Sequence, residues 1–225
     1  RWPASVSWTH DGSALLVTAD ENGRCPILAI TLDGTVSRLT ADDYGYTNVV
    51  AAPDGVIYAL RTSYAAPPHP VRIDPGGTVT VLPCVELPEL PGDLAEVSAI
   101  TVDGATVRSW LVLPRGLRRA GAKRPGDTNK PAPLLLWIHG GPLSSWNVWS
   151  WRWNPWLMVA RGYAVLLPDP ALSTGYGQAF IQRGWGAWGG APYDDLMAVV
   201  DAACADPRID ADRTAAMGGS FGGYM

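Results

Sequence analysis

Phenylalanine is nearly missing from this chain, with two residues among 225, while tryptophan occurs eleven times. Charge is also scarce. Only 17% of residues are charged, with 17 basic against 21 acidic and a net charge of -4. Such a composition excludes a highly charged disordered chain. It also argues against a nucleic-acid partner, which calls for a basic face. Long apolar runs are absent. Residues 134–138 form one of the longest, far short of the roughly 18 residues that span a bilayer, so no membrane partner is expected. No charged-then-apolar signal segment opens the chain, and it begins with Arg1 rather than Met, which reads as an internal piece of a longer protein. Cysteine is limited to Cys25, Cys84 and Cys204. Their odd number and scattered spacing exclude a closed disulfide framework and a cysteine metal site. Three free, buried thiols in a reducing, cytoplasmic compartment is the expectation. Histidine is limited to His10, His69 and His139, with none beyond 139.

What is present is enough for a real core. Hydrophobic residues make up 47% of the chain, and its length corresponds to about one and a half domains. Eight of the eleven tryptophans lie between Trp137 and Trp188. They read either as a bulky aromatic core or as a pocket wall. A base-stacking platform would need interleaved basic residues, and Arg152 is the only one between Trp146 and Trp156.

The first ninety residues repeat. Residues 6–40 and 49–83 align without gaps at an offset of 43, matching Asp11 with Asp54, Gly12 with Gly55, Ile30 with Ile73 and Gly34 with Gly77. Turn signals such as Asp11-Gly12 and Asp33-Gly34 separate short β-prone runs at 14–18, 26–31 and 36–39, then at 56–61, 70–74 and 78–82. A period near 43 with about four strands per unit is the signature of a β-propeller blade. Two blades do not close a ring, so further blades are expected upstream.

The pattern changes near Pro91-Gly92. This divides the chain into residues 1–92, the last blades of a propeller, and 93–225, the N-terminal half of a second domain. A hairpin is expected across Asp103-Gly104, and residues 115–130, with Arg118, Arg119, Lys123 and Arg124, read as a solvated loop. Beyond 133, buried strands at 134–138, 163–167 and 214–217 alternate with helices, one opening at Asn154-Pro155 and stopping at Gly162, the other opening at Asp194. That alternation predicts a doubly wound, mostly parallel sheet.

Chemistry concentrates at the C-terminal end. Gly218-Gly219-Ser220-Phe221-Gly222 fits G-x-S-x-G directly after a predicted strand, where a serine nucleophile must be presented on a sharp strand-to-helix turn. A phosphate-cradling loop would need a lysine, and none follows Lys130. Upstream, His139-Gly140-Gly141-Pro142 ends the 134–138 strand. Glycines there let bare backbone approach a developing oxyanion, a task that this fold type shares with the N–H of the residue after the nucleophile, here Phe221. His139 precedes the serine and reads as a loop-shaping residue rather than the general base.

These segments, together with Ser173-Thr174-Gly175-Tyr176-Gly177, Trp188-Gly189-Gly190, Tyr193-Asp194-Asp195-Leu196-Met197 and Gly223-Tyr224-Met225, closely resemble the prolyl oligopeptidase family of serine peptidases, and most of all its acylaminoacyl and dipeptidyl-peptidase-like branch. The resemblance covers the whole chain and implies an α/β-hydrolase fold preceded by a β-propeller that restricts access. It makes Ser220 the nucleophile, with Gly140, Gly141 and Phe221 around the oxyanion hole. It places His139, Tyr176 and Tyr224 where they would shape the substrate site. Many relatives carry Arg-Gly before the Ser-Thr-Gly-Tyr-Gly stretch; here Asp169-Pro170-Ala171-Leu172 stands there. The implied activity is hydrolysis of oligopeptides through an acyl-enzyme, with peptides as partners and no cofactor or metal. A homo-oligomer of the full-length protein is compatible with it. The chain stops five residues after Ser220, so the triad acid and histidine are expected downstream, and these 225 residues alone are expected to be inactive. A carboxylesterase would share Ser220 and the glycine loop, and a propeller with a dead hydrolase would be a binding protein. The repeats argue against the first and the intact G-x-S-x-G against the second.

Overall fold

A computed structural model of the chain describes residues 1–86, 88–117 and 130–225. The expectation for the Arg118–Arg124 stretch lies outside the described residues. The chain divides into two compact units, one of residues 1–88, 147–151 and 175–177, the other of residues 89–146, 152–174 and 178–225.

The first unit holds two four-stranded antiparallel sheets, each a simple meander. One consists of β1 (Trp2–Trp8), β2 (Ala14–Asp20), β3 (Ile27–Thr31) and β4 (Val36–Arg38), the other of β5 (Gly45–Ala51), β6 (Ile57–Ser63), β7 (Ala66–Ile73) and β8 (Val79–Val81). The sequence offset of 43 reappears in the strand bounds of β1 and β5, β2 and β6, and β4 and β8. It also reappears in the turns, where Gly12 and Gly55 have φ of 70° and 79°, and Gly34 and Gly77 have 86° and 82°. Only glycine takes this left-handed backbone without strain, so the Asp-Gly signals are turn geometry rather than composition. Leu16 and Ile27 of the first sheet share one buried cluster with Tyr46, Ile57, Val71 and Ile73 of the second. The strands that opened each repeat, β1 and β5, carry no clean alternation and were not legible as runs.

The second unit is built on one five-stranded sheet in the order β13-β11-β12-β10-β9. Its strands are β9 (Gly92–Ile100), β10 (Thr106–Pro114), β11 (Ala132–Ile138), β12 (Ala164–Asp169) and β13 (Ile209–Gly218). β11 pairs in parallel with β12 and β13, but β10 pairs antiparallel with both β12 and β9. The expectation of a mostly parallel sheet is therefore corrected: half the pairings are antiparallel, because the Asp103-Gly104 hairpin adds its two strands directly to β12. A second correction concerns β13. It begins five residues earlier than expected and is largely exposed, because it forms a sheet edge and pairs only with β11. β12, by contrast, is buried at all six positions.

Four short helices complete the described residues: α1 (Trp156–Val159), α2 (Gln178–Gln182), α3 (Ala191–Cys204) and α4 (Phe221–Tyr224). The Asn154 side chain accepts a hydrogen bond from the Trp156 N–H at 3.1 Å, but the helix caps at Pro155 and ends at Val159, short of the expected stop at Gly162. α3 opens at Ala191 rather than Asp194, with Pro192 in its first turn. It buries Leu196, Val199 and Ala203 against the sheet. Among the described residues, no helix is long and apolar enough to cross a membrane. The cysteines are all free, but only Cys25 is buried; Cys84 is exposed and Cys204 half-buried, which corrects the expectation of three buried thiols.

Candidate active site

β13 runs into Ser220 and the chain turns at once into α4. Ser220 has φ 57° and ψ -122°, a region that a non-glycine residue holds only when its surroundings impose it, at a cost of about 1–3 kcal/mol. The two glycines before it are dictated by packing. A Cβ on Gly218 would strike the Gly222 backbone, and one on Gly219 would sit 3.1 Å from the Trp153 ring. This is the strained strand-to-helix turn that the G-x-S-x-G spacing predicts.

β11, paired in parallel beside β13, delivers the second motif. A Cβ on Gly140 would lie 3.2 Å from the Gly219 carbonyl oxygen and 3.5 Å from the Ser220 Cβ, so the glycine loop and the serine are neighbours. Gly141 has φ 129°, and a Cβ there would stand 2.7 Å from the Leu143 nitrogen. Gly141 is thus closed to a side chain, and Gly140 is tightly hemmed by backbone.

His139 is buried, and both of its ring nitrogens are engaged. Nδ1 lies 2.7 Å from the Gly140 carbonyl oxygen and Nε2 lies 2.9 Å from the Ser173 hydroxyl. A carbonyl can only accept, so Nδ1 donates; in the neutral ring Nε2 then accepts from the Ser173 hydroxyl. Nε2 is also 3.8 Å from the fully buried Asp169 carboxylate. These partners hold the His139 ring at the start of the glycine loop.

An open cavity of about 780 Å³ adjoins Ser220, lined by Gly141, Pro142, Leu143, Trp185, Trp188, Phe221 and Tyr224 among others. Trp188 meets Phe221 and Tyr224 edge to face, at 5.4 and 6.0 Å between ring centres. The tryptophan-rich segment thus serves both roles weighed for it. Trp137, Trp146, Trp149 and Trp156 are buried, whereas Trp185 and Trp188 are exposed and form a wall. Tyr224 lines the cavity. Tyr176 belongs to the first unit and is not among the lining residues, nor are His139 and Gly140.

Two features escaped sequence reasoning. Asp169 is fully buried; its carboxylate accepts from the Ser145 hydroxyl at 2.8 Å and the Trp146 N–H at 2.9 Å. The available signal was a lone acid ending an otherwise apolar strand. Leu172, just before the Ser173-Thr174-Gly175 stretch, is fully buried with φ 82°. Among the described residues no group of three acidic, histidine or cysteine side chains could hold a metal ion.

The prolyl oligopeptidase family model matches residues 149–225. Probable dipeptidyl-peptidase 5 of Aspergillus clavatus is 33% identical over 236 residues, a match covering 100% of this chain and 31% of that protein. Among solved structures, a puromycin-hydrolyzing peptidase of Mycobacterium tuberculosis aligns with 97% of this chain and 33% of its own, at TM-score 0.74 and 23% identity. An acylaminoacyl peptidase of Pyrococcus horikoshii aligns with 99% of this chain and 34% of its own, at TM-score 0.79 and 18% identity. The chain therefore spans about a third of the length of the relatives it matches. At these identities the structural matches show a shared fold.

Proposed function

This chain belongs to the prolyl oligopeptidase family, and on that premise we propose that it carries the nucleophile and oxyanion hole of a serine peptidase acting on oligopeptides. The observation that carries this reading is the approach of Gly140 to Ser220 in a turn whose φ of 57° holds the serine at a strand end. Two motifs 80 residues apart in sequence meet only because β11 and β13 are paired neighbours.

In this reading the Ser220 hydroxyl attacks the scissile carbonyl; the C–N bond then breaks, the amine leaves with the proton that Ser220 gave up, and water hydrolyses the resulting acyl-enzyme. The developing oxyanion takes hydrogen bonds from the Phe221 N–H and from an N–H of the Gly140-Gly141 loop. Phe221 opens α4, so its N–H needs no partner within the helix. The Ser220 proton passes to a histidine downstream of it, in the order nucleophile, acid, histidine that this fold uses. His139 is not that base, because Ser173 and Gly140 occupy its nitrogens. The apolar cavity walled by Trp185, Trp188 and Tyr224 would take an apolar side chain of the substrate. The two four-stranded repeats are assigned to a β-propeller restricting access to peptides, with residues 1–92 and 93–225 as its last blades and the first half of the hydrolase domain. Peptides are then the partners, and the uncoupled cysteines support a cytoplasmic location.

The test uses the full-length protein. Ser220→Ala is expected to lower hydrolysis of an aminoacyl amide by several orders of magnitude, and an organophosphonate is expected to label wild-type Ser220. Undiminished turnover, or labelling elsewhere, overturns the reading. Turnover of simple esters but not of the amide would make it an esterase.

A further inference from the structure

The glycines that let Gly140 and Gly141 approach the serine leave that segment with no side chain to anchor it, so its position must be set from its ends. The near end is His139, which leaves β11 with both ring nitrogens engaged. The far end is Ser145-Trp146, held by Asp169 at the last position of the neighbouring parallel strand β12. Trp146 is fixed further by its carbonyl, which accepts from the Trp110 indole N–H at 2.7 Å. Its ring also packs edge to face against Trp137 and His139, at 6.3 and 6.0 Å between centres. The Ser144 carbonyl accepts from the Thr174 N–H at 2.9 Å.

A carboxylate with no solvent exposure is stable only when donors reach it. Two donors to Asp169 come from the loop itself, so loop and acid specify one another. A sheet strand is also a more rigid anchor than another loop. We infer that Asp169 is a positioning residue, holding the Ser145-Trp146 end of the glycine loop so that the Gly140-Gly141 backbone stays aligned beside Ser220. The inference rests on the serine-peptidase reading above, and it assigns Asp169 no contact with substrate.

The experiment compares full-length wild type with Asp169→Asn, Ser145→Ala and Ser145→Thr, with active sites counted by phosphonate titration of Ser220. A misplaced oxyanion loop weakens the transition state and spares ground-state binding. For Asp169→Asn, kcat per titrated site is expected to fall about ten- to a hundredfold with KM within about twofold. Affinity for a peptide aldehyde, whose serine adduct mimics the tetrahedral oxyanion, is expected to fall in parallel. Ser145→Ala should show the same split more weakly, and Ser145→Thr, which keeps the hydroxyl, should restore it. A wild-type kcat per titrated site, a defect confined to KM, or a fall in kcat with unchanged aldehyde affinity overturns the inference. If Asp169→Asn does not fold, the Ser145 pair decides: equal activity of Ser145→Ala and wild type rejects it. Failure of phosphonate to label Ser220 would instead reject the serine-peptidase reading, which separates the two failures.

Discussion

Gly222 packs its backbone so tightly against the end of β11 that a Cβ there would collide with the Ile138 carbonyl oxygen and stand 2.9 Å from that of His139. The second glycine of G-x-S-x-G is therefore the contact through which the serine turn is registered against the strand carrying the oxyanion loop. Backbone cannot yield as a side-chain tip can. Gly222→Ala is expected to displace the turn, with loss of phosphonate labelling at Ser220 and a lower melting temperature, since overpacking costs about 1–3 kcal/mol or more. Wild-type labelling by this variant would contradict the packing argument.

Gly140 and Gly141 should respond differently, because their defect is catalytic. Valine at either position is expected to lower kcat by about 10²–10³ for a lost oxyanion donor, with a much smaller change in KM. Gly141→Val carries the additional strain of a β-branched residue at φ 129°. Steady-state kinetics on a peptide amide checks this, and a variant impaired only in KM would mean that the loop binds substrate without stabilising the transition state.

Arg183 joins three parts of the second unit. Its guanidinium donates to the fully buried Asp195 at 2.8 and 2.9 Å and to Asp103 in the β9–β10 turn at 2.8 and 3.0 Å. Asp195 also accepts from the Ala171 N–H at 2.7 Å. Removing the arginine strands a buried carboxylate, so Arg183→Met is expected to cost about 3–5 kcal/mol. Asp103 is half exposed, and Asp103→Asn should cost much less, because water screens an exposed pair. Urea midpoints of the two variants test the contrast, and equal losses would refute it. Arg183, together with Thr101, also holds the Asp103 carboxyl well below the usual carboxylate range. By sign, that contribution is present above the ordinary carboxylate value and is lost only as pH falls through the lowered one.

The three thiols should separate by reactivity. Burial, and then the charge of Asp20, push the Cys25 thiol up to about 12, while Cys84 is exposed. In the native protein near pH 8, iodoacetamide is expected to modify Cys84 first and Cys25 only on unfolding, read by peptide mass spectrometry. Because the folded value is raised, the contribution of neutral Cys25 to stability is whole below the ordinary thiol value and declines as pH climbs toward 12. Equal labelling of Cys25 and Cys84 would show that the first unit does not shield it.

Much of this architecture is written locally. An offset of 43 recurs in three of the four strand pairs of the two repeats and in their turns, because the turn glycines encode backbone angles within a few residues. The Gly218–Gly222 spacing likewise specifies a strained turn at Ser220, since only glycine tolerates the contacts on either side of it. What the sequence left open is long-range. The order of the five strands and the antiparallel seating of β10 on β12 depend on which apolar faces find one another, and no short window records that choice. Trp185 and Trp188 were indistinguishable by composition from the buried Trp146 and Trp156 until packing exposed one pair and enclosed the other. In the sequence Asp169 is only an acid that follows an apolar run. Only the tertiary structure brings Ser145 and Trp146 to it, because a buried charge acquires its role from donors that arrive from elsewhere in the chain.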